Sequence, residues 1–124
     1  MSKDFSRWEF KCKCGCGGFE LDSDFLEMLQ DARSIAGVRF SINSGYRCEA
    51  YNASIGGASK SKHLLGMAAD IGTLHPGSQG AFRILFGLRD AGFTRFKIYS
   101  RHIHVDLGER VGSQENSLMW GEYS

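Results

Sequence analysis

Apolar positions recur along the chain with two different periods, and each change of period marks a new element. In "DSDFLEMLQDARSIAG", Phe25, Met28, Leu29, Ala32, Ile35 and Ala36 fall at the three-and-four spacing of one helical face. Asp24 with Glu27 three residues later predicts a capping box, and Gly37 supplies the stop. In "VRFSIN", Val38, Phe40 and Ile42 alternate with Arg39, Ser41 and Asn43, the period of a half-buried strand. "SGYRCEAYNASIGG" predicts a turn with a short helical piece closed by Gly56 and Gly57. "GMAADIG" predicts a short strand whose small residues leave room for a close neighbour. "LHPGSQG" reads as a loop, and "AFRILFGLRDAG" as a second amphipathic helix ended by Gly92. "RFKIYS" and "HIHVDLG" alternate again and predict an antiparallel hairpin turning at Ser100–Arg101. From Glu109 the tail is polar except for Leu118 to Trp120, which are expected to pin it to the body.

Helices and short strands in this order, without βαβ regularity, predict a small α+β domain. The 124 residues suit a single domain spanning 1–124, with a core from about 5 to 120. Hydrophobic content of 42% and charged content of 23% are those of a globular protein. With 15 basic and 14 acidic residues and no dense basic cluster, the chain lacks the footprint of a nucleic-acid binder. Its apolar runs fall far short of the ~18 residues of a membrane span. The polar start "MSKDFSRWEF" lacks the apolar core of a secretion signal, so the chain is expected to be cytoplasmic as synthesised. The balanced composition points to a monomer.

Two groups of residues carry candidate chemistry. Cys12, Cys14 and Cys16 in "KCKCGCGG", with Cys48 in "YRCEA", leave three readings open: free thiols in a glycine-rich turn, a disulfide to Cys48, or part of a metal site. Their spacing is not that of a zinc knuckle, and no histidine follows at finger spacing.

The second group is spread over two stretches. On one straight helix His63 and Asp70 would be separated by roughly 10 Å along the axis, too far to share an ion at bond lengths of ~2 Å. A turn at Gly66 and a return along a strand would bring them together. In "HIHVDLG", His102, His104 and Asp106 share one strand face, while Ile103, Val105 and Leu107 point into a core. Two histidines and a carboxylate on a buried strand are costly unless something satisfies them. His63, Asp70 and one histidine of the pair would supply the three imidazole and carboxylate ligands that a catalytic zinc commonly takes.

"SKHLLGMAAD", Ser61 to Asp70, matches every fixed position of the S-x-H-x-x-G-x-A-x-D signature of the M15 peptidases, which are zinc D-Ala-D-Ala carboxypeptidases and peptidoglycan endopeptidases. "SGYR", followed by Tyr51-Asn52 and paired glycines, and the closing "HIHVDLG" resemble two further segments of that family. The resemblance runs from about Phe5 to Trp120 and is closest to the short single-domain subgroup of bacteriophages and bacteria. It implies a hedgehog/D-Ala-D-Ala-peptidase-like fold, a short antiparallel sheet with flanking helices. It implies Zn2+ held by His63, Asp70 and His104, although the same ligands would accept other divalent ions. His102 is then the proton carrier. Arg47 binds substrate, holding its carbonyl as it becomes an oxyanion, or holds a nearby carboxylate; Ser61 bonds substrate or the ligand shell; and Asp106 orients a histidine from behind or is a solvated strand-end residue.

Several relatives carry an acidic general base three residues before the last zinc histidine; here that residue is Arg101, which leaves proton transfer to His102. His75 is expected at the loop rim, with no role beyond substrate contact. The activity implied is hydrolysis of an amide bond in bacterial peptidoglycan peptides, by an endolysin-like enzyme of phage lysis or of the virion that meets the cell wall after release. The alternative is a non-catalytic zinc-stabilised binding module, which would have no need of Arg47, Ser61 and His102 together.

Overall fold

Four short strands build one antiparallel sheet, and its two faces do different work. The structure, a computed structural model of the chain, describes residues 3–74 and 77–108. In chain order these form a 3-10 helix (Arg7–Phe10), α1 (Ser23–Ala36), β1 (Ile42–Ser44), α2 (Glu49–Ser54), a second 3-10 helix (Lys62–Leu65), β2 (Ala68–Gly72), α3 (Gln79–Asp90), β3 (Arg95–Ile98) and β4 (His102–Asp106). The sheet order is β1-β2-β4-β3, with every neighbouring pair antiparallel. This is the α+β architecture that the alternating periods predict. The tail from Glu109, the Leu118–Trp120 contact and His75 lie outside the described residues.

One sheet face is apolar. Ala69 and Ile71 of β2 lie opposite Val105 and Ile103 of β4, and Phe96 of β3 lies opposite Val105. These side chains share one core with Phe25 and Leu29 of α1 and Ile84 and Leu88 of α3. Phe25 meets Phe93 edge-on, with ring centroids 5.8 Å apart.

Helix α1 begins two residues earlier than the capping-box reading of Asp24 and Glu27. The Asp22 carboxylate accepts the Phe25 N–H at 2.9 Å, and Asp24 lies inside the first turn, where its charge faces the positive helix end. Gly37 closes the helix in the left-handed region at φ 70°, as a residue without Cβ does most readily. Ile35 departs from the predicted buried stripe: it is 49% exposed and lines a groove with Phe82 and Phe86 at the seam between α1 and α3. The strand expected over 38–43 is regular only from Ile42 to Ser44. Phe40 and Ile42 are buried as the alternation demands. However, β2 ends at Gly72, whose N–H reaches the Ser41 carbonyl at 2.8 Å, so upstream residues have no strand beside them. Helix α3 starts inside the expected loop because the Ser78 hydroxyl caps it, accepting the Ala81 N–H at 3.1 Å.

Helices α1 and α3 cross at Gly87, where a Cβ would strike the Ala32 carbonyl oxygen and lie 2.9 Å from the Ala36 methyl. In an open helix Gly→Ala gains about 1 kcal/mol, but forcing packed elements apart costs about 1–3 kcal/mol. Gly87→Ala is therefore expected to lower the Tm by roughly 5 °C in thermal unfolding; a raised Tm would show that the seam opens freely. No helix among the described residues is long and apolar enough to cross a membrane.

Candidate metal centre

The other sheet face is polar and is set by the same register. Asp70 lies opposite both Ser44 and His104, Gly72 opposite His102, and Ala68 opposite Asp106. His63 reaches this face from the turn before β2. The buried Ser61 hydroxyl accepts the His63 N–H at 3.1 Å and starts the 3-10 helix, and Gly66 ends it at φ 70°. A side chain at Gly66 would also run into the Glu20 carbonyl. The small residues between His63 and Asp70 thus admit a tight turn and a close neighbouring chain. They bring ligand atoms of His63, Asp70 and His104 within 4.8 Å of one another, all three residues buried.

Hydrogen bonding fixes which atoms face inward. His63 Nδ1 lies 2.6 Å from the Gly45 carbonyl, which only accepts, so Nδ1 carries the proton and the Nε2 lone pair points to Asp70 Oδ1 at 3.4 Å. That Nε2 is buried with no hydrogen-bond partner among the described residues, an arrangement native structures rarely leave unexplained. His104 Nε2 donates to Asp106 Oδ2 at 2.9 Å, and its Nδ1 lies 2.9 Å from Asp70 Oδ1. Two imidazole nitrogens and a carboxylate oxygen therefore converge, and this donor set fits Zn2+.

The electrostatics follow the geometry. Burial acts to raise the Asp70 pKa, yet the neighbouring His104 and His63 imidazoles outweigh it and hold the carboxyl well below the usual range. Burial acts to lower that of His104, but the Asp106 and Asp70 carboxylates outweigh it and favour a cation there. A metal ion would take the place of the Nδ1 proton facing Asp70 and leave the Nε2–H bond to Asp106 in place.

Arg47 completes the wall. Its Nη2 lies 3.3 Å from Asp70 Oδ2, Nη1 donates to Asn52 Oδ1 at 3.0 Å, and Nε donates to Ser44 Oγ at 3.2 Å. Its backbone N–H also donates to the His63 carbonyl at 3.1 Å. Asn52 is tied in turn to the Ala58 carbonyl at 2.8 Å, and a Cβ on Gly57 would collide with its Oδ1. Behind His104, Asp106 is fully buried and its Oδ1 accepts from Arg95 Nε at 2.9 Å. His102 is half-buried and stacks on Tyr99, with centroids 4.4 Å apart at 17°. Burial holds its imidazole below the ordinary histidine range. Arg101 is exposed at the hairpin turn.

Arg95 and Tyr99 stand outside the sequence motifs, and Ser44 and Asn52 stand within the "SGYR" and Tyr51-Asn52 segments without an assigned role. Arg95 had a signal: pairing "RFKIYS" with "HIHVDLG" places it directly opposite Asp106.

A protein-family model described as Peptidase M15 matches residues 3–106, a span that contains the whole site. The chain belongs to the M15 peptidase family. A curated relative is the zinc D-Ala-D-Ala carboxypeptidase of Streptomyces albus G, 36% identical over 87 residues, or 65% of this chain and 33% of that protein. This M15 chain thus spans about a third of the length of the relative it matches.

Proposed function

We propose that this M15 peptidase uses zinc to hydrolyse an amide bond in the peptides of bacterial peptidoglycan. The observation that carries the reading is the convergence of His63, Asp70 and His104 around a buried, unpartnered imidazole nitrogen. The activity for which that relative is named favours removal of a terminal D-Ala from a D-Ala-D-Ala end. Cleavage of a cross-bridge, in the setting of phage lysis, is the second reading, from the likeness to the short phage subgroup.

His63, Asp70 and His104 would hold the zinc, which supplies Lewis acidity for a carbonyl and for water. Arg47 holds the second Asp70 oxygen and offers its remaining N–H donors to the carbonyl oxygen as charge develops, or to a substrate carboxylate. Ser61 acts from below by capping the turn that presents His63. Asp106 fixes the tautomer and the ring plane of His104. His102, neutral near pH 7 and oriented by Tyr99, takes a proton from water and returns it to the leaving amine.

Digestion of purified peptidoglycan by the zinc-loaded protein, read by mass spectrometry, tests the proposal. New amine ends are expected, with fragment masses naming the bond. His102→Gln is expected to keep its zinc while cleavage falls by roughly 10²–10⁴-fold. Zinc held tightly by the intact protein without any cleavage would leave the non-catalytic module as the surviving reading.

A further inference from the structure

We propose that Cys12, Cys14, Cys16 and Cys48 form a second metal site, a four-thiolate cradle for a structural zinc ion, distinct from the His63–Asp70–His104 centre. The four sulfurs all lie within 4.8 Å of one another. Cys12 and Cys14 Sγ are 3.5 Å apart, and Cys14 and Cys48 Sγ 3.7 Å. A tetrahedral ion with zinc–sulfur bonds of ~2.3 Å requires sulfur–sulfur edges of about 3.8 Å, whereas a disulfide needs ~2.05 Å. All four cysteines are free thiols, and they converge on one point rather than in one pair.

The backbone is built for that convergence. Gly15 and Gly17 adopt φ 87° and 81°, where side chains are disfavoured, yet a Cβ on either would meet open space among the described residues. Their absence of side chain therefore serves the turn and not a neighbour: it folds "CKCGC" back so that alternate residues face one centre. Backbone N–H groups also point at the sulfurs. Cys48 N donates to Cys12 Sγ at 3.4 Å, Gly18 N to Cys16 Sγ at 3.2 Å, and Tyr51 N to Cys48 Sγ at 3.4 Å. Such donors favour thiolate over thiol. Four thiolates this close need a cation. Thiolate-only donor sets select soft ions, with zinc foremost in tetrahedral geometry.

The position of Cys48 gives the site its purpose. It follows Arg47 directly and caps α2, accepting the Tyr51 N–H. The N-terminal segment also docks here, with the Phe10 carbonyl accepting Tyr46 N–H at 2.7 Å. A zinc at the four sulfurs would staple that segment to the stretch that supplies the Gly45 carbonyl and the Arg47 side chain to the catalytic face.

Protein expressed with zinc and purified under reducing conditions is expected to carry two zinc ions per chain by elemental analysis. The His63→Ala/His104→Ala variant and the Cys14→Ser/Cys16→Ser variant are each expected to carry one. Cobalt titration of the unmutated protein should give thiolate-to-cobalt charge-transfer absorption in the near ultraviolet, retained in the histidine variant and lost in the cysteine variant. The cobalt spectrum of the unmutated chain needs no variant to fold, and it reads the cysteine site whatever the histidine site does. Absence of that absorption, with all four cysteines alkylated at the rate of free thiols in the presence of zinc, would overturn the proposal.

Discussion

His104→Ala is expected to empty the histidine centre of zinc and to lower kcat/KM on peptidoglycan peptides by about a thousandfold or more. His104 is both a proposed ligand and the link between two carboxylates, with Asp70 on its Nδ1 and Asp106 on its Nε2. Metal assistance supplies several kcal/mol of transition-state stabilisation, and about 4 kcal/mol corresponds to roughly three orders of magnitude. The fold should survive, because Asp106 keeps its bond to Arg95 and Asp70 keeps Arg47. Zinc content, kcat/KM and far-ultraviolet circular dichroism measured together separate loss of the ion from loss of the fold. Full cleavage by the variant would remove His104 from the catalytic centre.

Arg47→Lys is expected to lower kcat/KM by about 10²–10³-fold while leaving most of the zinc in place. The guanidinium engages Ser44, Asn52 and Asp70 at once through a planar fork. An ammonium carries the same charge but cannot satisfy that planar set and still donate to a growing oxyanion. Arg47→Ala goes further: it leaves the buried Asp70 carboxylate without its arginine, a loss of about 3–5 kcal/mol, and should lower the Tm sharply. Comparing zinc affinity with kcat/KM across the two variants separates positioning of Asp70 from action on substrate. Wild-type turnover in Arg47→Lys would show that charge alone suffices.

Periodicity made the sheet faces legible before any coordinates. The alternation in "HIHVDLG" put Ile103 and Val105 in the core and His104 and Asp106 on the opposite face, and both strands of the hairpin pair as that reading requires. The turn at Gly66 was legible because glycine at a helix end has few other uses. Long-range choices were not. Nothing local says that β1 pairs only from Ile42 onward, since that depends on where β2 stops. Asp22 and Asp24 are the same residue type, and the cap goes to Asp22, whose side chain accepts the Phe25 N–H. The Arg47–Asp70 bond joins residues 23 apart in the chain, a distance that hides their contact. The cysteines left three readings open because their convergence depends on two glycine torsions and on a fourth residue 32 positions beyond Cys16, Cys48.

The two-faced pairing of β2 with β4 also bears on how this chain tolerates change. Substitutions at the exposed hairpin turn, Ser100–Arg101, disturb neither face. A single-residue deletion within β4 is another matter, because every side chain beyond it changes sides. It would push His104 or Asp106 toward Phe25 and Leu29 and turn Val105 outward, so core and chemistry fail together. Descendants of this sequence are therefore free to drift by replacement at that turn, but not by gain or loss of a residue within the strands.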